Sequence, residues 1–205
     1  MTTYELLRIK DTNTNGILNM VKTINTSFLP EAKASGYSLY GLFFGLFGLA
    51  SNELYLMTTR EEASPSLEGI TSLSRLIVDH NFSIRETYQL SPTVRPIEHT
   101  RRTRKGIYVF RWFLIRNWDV EEIVRLSDEA WVSFEGDFDS EVQGLFAEAD
   151  RSQEQGRMLL LTWYRDLSVW ETSRTPSPEA RERFQKRHKL TTETIAIATR
   201  LYHIQ

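Results

Sequence analysis

Along the first half of the chain, apolar residues follow strand periodicity in some segments and helix periodicity in others. A strand-like run at residues 4–10 and a polar loop at 11–16 precede a segment whose apolar residues recur at helical spacing: Ile17, Met20, Val21, Ile24 and Phe28. Gly36 is expected to end this helix after an interruption at Pro30. The elements predicted next are a buried strand around residues 41–43, a strand at 54–59, a helix opened by Ser64-Pro65 that continues through Ile70, Leu73, Leu76 and Ile77, and a strand at 82–90.

The second half repeats this β-α-β-β-α-β order. Its predicted elements are a strand at 107–115, a helix that Asp119 caps and that carries Val120, Ile123, Val124, Ser127 and Trp131, a segment at 144–146, a strand at 158–162, a helix at 178–189 and a strand at 194–203. A constant offset of 103 aligns Ile17 with Val120, Met20 with Ile123, Val21 with Val124, Phe28 with Trp131, and Gly41 with Gly144. The pattern therefore predicts an internal duplication.

Each repeat has the split β-α-β order of the ferredoxin-like fold. Two helices on one side of four strands leave the other sheet face uncovered, so that face must be buried elsewhere. Residues 107–115 are apolar on both sides, as such burial requires. We therefore predict an α+β fold in which two tandem ferredoxin-like units pack sheet to sheet as an intramolecular α+β barrel. The predicted boundaries are a first unit at 1–92, a basic linker at 93–106 and a second unit at 107–205.

The linker contains a cluster of basic residues whose function has two interpretations. Its cations are Arg95, Arg101, Arg102, Arg104 and Lys105, opposed by the single acid Glu98. A phosphate or nucleic-acid patch is one interpretation, and a solvated linker is the other. We favour the linker because no aromatic residue interleaves the cluster and the whole chain carries a net charge of −2. We accordingly expect neither nucleic acid nor a membrane as partner.

Composition adds two exclusions. The chain has no cysteine, so disulfides, thiolate metal sites and cysteine nucleophiles are ruled out, and the absence suits a reducing cytoplasm. The longest apolar run, at residues 37–50, contains three glycines and is shorter than the roughly 18–20 residues that a membrane-spanning helix needs. The N-terminus does not have the pattern of a secretion signal. We expect a cytoplasmic location.

Three short motifs carry a family resemblance. The strand Tyr108-Val-Phe-Arg111, the segment from Tyr164 to Leu167, and Leu90-Ser-Pro-Thr93 resemble motifs of NIPSNAP-type proteins in the dimeric α+β barrel superfamily. The family commonly has Trp where this chain has Thr162, and Arg8 of the first unit is displaced by one residue, which in a strand reverses its face. The resemblance implies a cavity between sheets for small aromatic or aliphatic molecules. Relatives include cofactor-free monooxygenases, cyclases, isomerases and haem-binding proteins.

No strong catalytic motif is present, and the four histidines, His80, His99, His188 and His203, form no metal-ligand spacing. Of these, His203 has two interpretations: it could face a cavity from a strand end and move a proton, or it is exposed at the end of its strand, which is the interpretation that we favour. His80 is expected in a surface turn, His99 in the linker, and His188 at a charged helix end.

Polar residues in apolar strands are the better candidates, because burying them unpaired costs roughly 1–3 kcal/mol each. Arg111 needs a carboxylate, an aromatic face or a ligand anion. Glu86 and Glu148 could pair with it or act as a general base, while Tyr164 could donate to an oxyanion. The predicted pocket residues are Tyr88, Trp112, Phe110, Thr162 and Arg8. The structural alternative is a salt bridge from Arg111 to Glu148 or Glu86.

These residues support two hypotheses. In the first, the protein handles an apolar or aromatic compound in the inter-sheet cavity, as a cofactor-independent enzyme of isomerase, cyclase or monooxygenase type without metal. In the second, it is a non-catalytic binding or scaffold protein of the NIPSNAP type. A polar-lined cavity of roughly 300 Å³ or more would favour ligand handling. The sequence does not decide which substrate is used, whether haem binds or whether the chain forms a homodimer.

Overall fold

A computed structural model describes residues 2–12, 17–61, 73, 75, 77 and 82–203 of the 205-residue chain. The strands are β1 (Thr2–Asp11), β2 (Tyr37–Phe47), β3 (Glu53–Glu61), β4 (Phe82–Pro92), β5 (Ile107–Arg116), β6 (Ser140–Glu148), β7 (Gln155–Tyr164) and β8 (Thr191–Leu201). The helices are α1 (Ile17–Thr23), α2 (Leu29–Ala34), α3 (Val120–Asp137), α4 (Leu167–Thr172) and α5 (Pro178–His188), with a π-helix at Ile24–Phe28 and a 3-10 helix at Asn117–Asp119. None of the described helices is long and apolar enough to span a bilayer.

The chain divides into two compact units. Unit 1 comprises Met1–Leu90, His99–Arg104 and Arg200–Gln205, and unit 2 comprises Ser91–Glu98 and Lys105–Thr199. The segment predicted as a linker is therefore shared between the two units, and the last residues of the chain belong with the first unit. Each unit has its own hydrophobic core.

Unit 1 has the strand order β4-β1-β3-β2, and the pairings within it are antiparallel. Its helical segment runs from Ile17 to Ala34 without a break, and Pro30, which has no amide N–H to donate, comes directly after the π-helical turn. The predicted interruption is instead a π-helical turn at Ile24–Phe28. The second predicted helix falls mostly outside the described residues, of which Leu73, Arg75 and Ile77 are helical. His80 also lies outside them.

Unit 2 has the corresponding strand order, β8-β5-β7-β6, with α3 and α5 packed together. Apolar residues of α3 meet the sheet in one core, which includes Ile123, Trp131, Phe113 and Met158. Asp119 holds the N-cap position of α3, but its carboxylate accepts a 2.8 Å hydrogen bond from Arg116 rather than from a helix amide. The short helix α4 was not predicted from the sequence.

The two units share an irregularity at the same place in the repeat. The β2–β3 register shifts between Leu39 and Gly41, and the β6–β7 register shifts between Val142 and Gly144. Gly41 packs against the ring of Phe43, and Gly144 packs against the ring of Phe146, so closely that a Cβ would overlap either ring. A matching bulge and a matching glycine–aromatic contact support the duplication. The predicted α+β class with two ferredoxin-like units is confirmed.

Candidate functional site

Unit 2 contains a cavity of about 210 Å³ on the side of its sheet that the helices cover. We call it the unit 2 cavity. Its wall is formed by residues of three strands, two helices and the segment after α4: Arg111, Trp131, Phe134, Val142, Leu160, Thr162, Tyr164, Ser173, Arg174, Pro176, Phe184 and Arg187.

The sheet side of the cavity follows from strand alternation. Leu160, Thr162 and Tyr164 are alternate residues of β7 and therefore face the same side. Arg111 of β5 is the register partner of Leu160, so its side chain leaves the sheet on that side too. The sheet thus presents a cation, a phenol and a hydroxyl to one space.

The helix side of the cavity is aromatic. Trp131 and Phe134 come from successive turns of α3, and Phe184 comes from α5. The Phe134 ring meets the Phe184 ring edge to face at 5.6 Å and the Tyr164 ring at 6.5 Å between centroids. An apolar part of a ligand would lie against this wall.

Arg187 is a buried cation at the cavity, with a fractional exposure of only 8%. Its Nη1 donates a 3.1 Å hydrogen bond to the Ser127 hydroxyl, which in turn donates to the Ile123 carbonyl at 2.6 Å. Its guanidinium also lies over the rings of Phe113, at 4.9 Å, and Phe184, at 4.8 Å. Burial, together with the positive charge of Arg111, lowers the pKa of Arg187 to about 9.

Arg111 and Tyr164 influence each other electrostatically. Burial lowers the pKa of Arg111, the charge of Arg174 lowers it further, and Tyr164 opposes both effects. Burial raises the pKa of Tyr164, with Arg111 and hydrogen bonds to Ser173 and Thr162 acting in the opposite direction. The phenol therefore stays protonated at neutral pH and can donate a hydrogen bond.

Three residues predicted for a shared site, Arg111, Tyr164 and Thr162, do line one cavity. They do so on the helix-covered face, whereas the sequence pattern predicted an inter-sheet cavity. Two of the predicted pocket residues, Phe110 and Trp112, do not join this group. They flank Arg111 in β5, and because side chains alternate along a strand, they point to the opposite face of the sheet. Both are buried there, and neither lines the unit 2 cavity.

In the described residues, Arg111 does not pair with Glu86 or Glu148, the two glutamates considered as its partners in the structural alternative. Glu86 accepts from Arg8 at 3.3 Å, and Arg8 also binds Glu53 at 2.6 Å, all within unit 1. Glu148 accepts a 3.0 Å hydrogen bond from the Arg157 amide at the β6–β7 hairpin. Each carboxylate is therefore engaged elsewhere.

The other predicted site residues, which belong to unit 1, do not line the unit 2 cavity. His203 is exposed at the end of the chain in unit 1, and Tyr88 is partly buried in β4. In unit 1 the residue that corresponds to Arg111 is Leu7, because Leu7 pairs with Leu56 as Arg111 pairs with Leu160 in unit 2. Arg8 is the next residue along the strand, so its side chain points to the opposite face. The expected reversal of the Arg8 face agrees with this register.

Two residues of functional interest were not predicted. Arg187 belongs to the segment interpreted as a charged helix end, yet Ala180, Phe184 and Arg187 share one helical face by their i, i+4, i+7 spacing. That spacing could have identified it. His99, assigned to the linker, shares a 2.6 Å hydrogen bond with the buried Tyr4 hydroxyl in unit 1. Only the tertiary structure brings these two residues together.

The unit 2 cavity does not fit haem. Haem iron takes an axial ligand such as histidine, cysteine, methionine or tyrosine, and its macrocycle is much larger than this space. Among the described histidines, His99 binds Tyr4, while His188 and His203 are exposed. None of them lines the cavity. Tyr164 does, but the Arg111 and Arg187 cations act on it, and they disfavour a further positive centre such as a ferric ion.

Comparison with known proteins places the fold. No family model matches the sequence, and no curated protein matches it. A candidate monooxygenase from Lactobacillus acidophilus NCFM is similar in structure, with a TM-score of 0.56 and 7% identity over 97% of this chain and 93% of that one. An anthrone oxidase-like protein has a TM-score of 0.64 and 12% identity over 98% and 92%.

A third similar structure is a haem-binding protein from Thermus thermophilus, with a TM-score of 0.57 and 12% identity over 98% of this chain and 91% of that one. These likenesses show the fold alone, a mixed α+β fold that this chain shares with the similar structures. They do not test the resemblance to NIPSNAP-type proteins.

Proposed function

We propose that the protein binds a small organic molecule with an aromatic or apolar part in the unit 2 cavity. The observation that carries this proposal is the two-sided wall, with the rings of Trp131, Phe134 and Phe184 on one side and the polar groups of Arg111 and Tyr164 on the other. An apolar lining with a few convergent polar groups is typical of small-molecule sites.

The cavity size sets the size of the ligand. A cavity of about 150 Å³ can hold benzene, and the unit 2 cavity is about 210 Å³. It therefore suits a single ring with one substituent or a short branched chain. It is smaller than the roughly 300 Å³ that was expected of a ligand-handling cavity.

In the enzymatic form of this proposal, the protein uses no cofactor and stabilises an oxyanion that forms during the reaction. The protonated Tyr164 phenol donates to an enolate or phenolate oxygen, and the Arg111 cation offsets its charge. Isomerase, cyclase and monooxygenase chemistry all pass through such an anion. The similar structures named as a candidate monooxygenase and an anthrone oxidase-like protein give this form independent support.

The second candidate function is ligand binding without catalysis. It is favoured by the absence of any acid or histidine from the cavity wall in the described part of the chain. A carboxylate or imidazole is the usual general base, and Glu86, Glu148 and His203 do not supply it here. A binding protein would release its ligand unchanged, whereas an enzyme would convert it.

The binding proposal is tested by filling the cavity with a larger side chain. Val142 is buried in the wall, so Val142→Phe should fill the space and weaken phenol binding by about tenfold or more. Binding is measured by NMR, from the shift of the Trp131 indole N–H during titration with phenol.

Val132→Phe is the matched control, because Val132 lies on the exposed side of α3, and it should bind phenol as the wild type does. A Val142→Phe variant that binds phenol as tightly as the wild type does would disprove the proposal.

A further inference from the structure

Three arginines, Arg111, Arg174 and Arg187, line the unit 2 cavity; of these, Arg174 is exposed, and Arg111 and Arg187 are the more buried two. Within the described residues, no ion pair involves Arg111 or Arg187, and no acidic side chain lines the cavity. The neutral Ser127 hydroxyl is the hydrogen-bond partner of Arg187. Charged residues are almost never fully buried unless they are paired.

Other sheltered arginines of this chain do have acidic partners. Arg8 lies 2.6 Å from Glu53, and Arg95 lies 2.7 Å from Glu135. The side chains of Arg8 and Arg95 are 23% and 29% exposed, whereas Arg187 as a whole residue is only 8% exposed. Arg187 is thus the least exposed of these three arginines and the one without a carboxylate partner. The positive charge of Arg111 also acts on it.

The repulsion between the two arginines is evident from their electrostatics. The charge of Arg111 disfavours the charged form of Arg187, and Arg174 likewise disfavours that of Arg111. Two like charges held in a low-dielectric site favour an anion between them. The Tyr164 and Thr162 hydroxyls lie on the same wall as further donors for such an anion.

We propose that the unit 2 cavity binds the carboxylate of a small organic acid, with Arg111 and Arg187 holding the anion and the aromatic wall holding its apolar part. This deepens the proposed function and rests on it. The planar fork of guanidinium donors matches a carboxylate, and the wall of Trp131, Phe134 and Phe184 gives a ring or short chain its place.

The inference is tested on the intact chain with two probes of equal shape. Benzoate and benzamide differ in charge but hardly in volume, so a cavity that recognises the anion should bind benzoate about tenfold more tightly or better at pH 7. Calorimetry gives both dissociation constants. This comparison needs no variant, so it holds even if an altered protein does not fold.

Substitutions of single arginines then show which of them bind the carboxylate. Arg187→Met and Arg111→Met should each weaken benzoate binding more than benzamide binding, so that the ratio of the two dissociation constants moves toward one. Arg183→Met is the matched control, because Arg183 lies on the same helix as Arg187 but is more exposed and bound to Glu129 at 3.1 Å. That variant should keep the preference for benzoate.

The outcomes separate this inference from the proposed function. Equal binding of benzoate and benzamide, both blocked by Val142→Phe, would overturn the carboxylate inference and leave the proposed function standing. Tighter binding of inorganic phosphate than of benzoate would also overturn it, because the aromatic wall would then contribute nothing. No binding of benzoate, benzamide or phenol would overturn both.

Discussion

Arg187 is the residue whose surroundings differ most from those of an ordinary arginine. It is buried, it donates a hydrogen bond to a neutral hydroxyl, and its guanidinium lies over two aromatic rings. These contacts hold the guanidinium in place but do not neutralise it. Because burial and Arg111 disfavour its charged form, the pKa of Arg187 falls to about 9. The side chain is therefore a cation at neutral pH that can lose its proton within an accessible pH range.

A prediction at the residue scale follows from this pKa. Benzoate affinity should be constant between about pH 6 and 8 and should fall as the pH rises through about 9, because Arg187 then loses the charge that binds the anion. Benzoate itself stays ionised throughout. Calorimetric titrations across this range measure the effect.

The control for the pH dependence is Arg187→Met, whose weak benzoate binding should not change as the pH rises through the same range. A wild-type affinity that stays constant through pH 9 and 10 would show that Arg187 keeps its proton there, and the loss of benzoate binding in Arg187→Met would then be the evidence that this residue binds the anion.

At the scale of elements, the repeated bulge fixes where the second strand of each unit bends. The register shift lies just before Gly41 in one unit and just before Gly144 in the other, and each glycine lets an aromatic ring of its own strand fold over the backbone. Bulges of this kind re-aim the side chains that follow them. In unit 2 the bulge lies next to Val142, which lines the cavity.

We predict that Gly144→Ala destabilises the protein by about 1–3 kcal/mol, because the new methyl group would overlap the buried ring of Phe146. The free energy of unfolding, from urea denaturation, is the measurement.

Gly136→Ala is its matched control. Gly136 lies in α3, where a methyl group would meet nothing within 4 Å, so this change should stabilise the helix by roughly 0.5–1 kcal/mol. Equal effects of the two substitutions would show that the Phe146 contact does not constrain the strand.

At the scale of the whole molecule, the two units are not two consecutive pieces of the sequence. Ser91–Glu98 belongs to unit 2, and there the Thr93 amide donates to the Leu145 carbonyl at 2.9 Å while the Leu145 amide donates to the Arg95 carbonyl at 3.1 Å. In unit 1, the Tyr202 amide donates to the Leu42 carbonyl at 2.7 Å. Residues far apart in the chain thus complete each unit.

The attachment of the connector to unit 2 can be tested in the intact protein. Arg95 binds Glu135 at 2.7 Å, and its guanidinium lies 5.1 Å from the centre of the Trp131 ring. Arg95→Met should therefore lower the free energy of unfolding by about 1 kcal/mol. Denaturant titration gives the value.

Arg101→Met serves as the comparison, since Arg101 is exposed and its loss should change stability by less than about 0.5 kcal/mol. If Arg95→Met were equally harmless, the Arg95 side chain would not contribute to holding this segment on unit 2, and the backbone hydrogen bonds of Thr93 and Arg95 with Leu145 would hold it instead.

The repeated order of elements was predictable because local periodicity encodes it. Met20 and Ile123, or Phe28 and Trp131, keep one spacing in both halves, and all four are buried. The presence of Arg111 and Tyr164 in one site was also predictable, since each is a polar residue in an apolar strand. What failed was the choice of their partners, because a carboxylate such as Glu148 can bond a nearby backbone amide that no periodicity reveals.

The sequence by itself determined the α+β class, the duplication and the strand positions of two of the cavity residues, because these depend on spacing along the chain. Only the tertiary structure decided which sheet face holds the cavity and that Arg187 meets Arg111 there, because α5 and β5 are separated by more than sixty residues and converge only through packing. Local pattern fixes the direction of a side chain relative to its own element, and packing fixes what it meets.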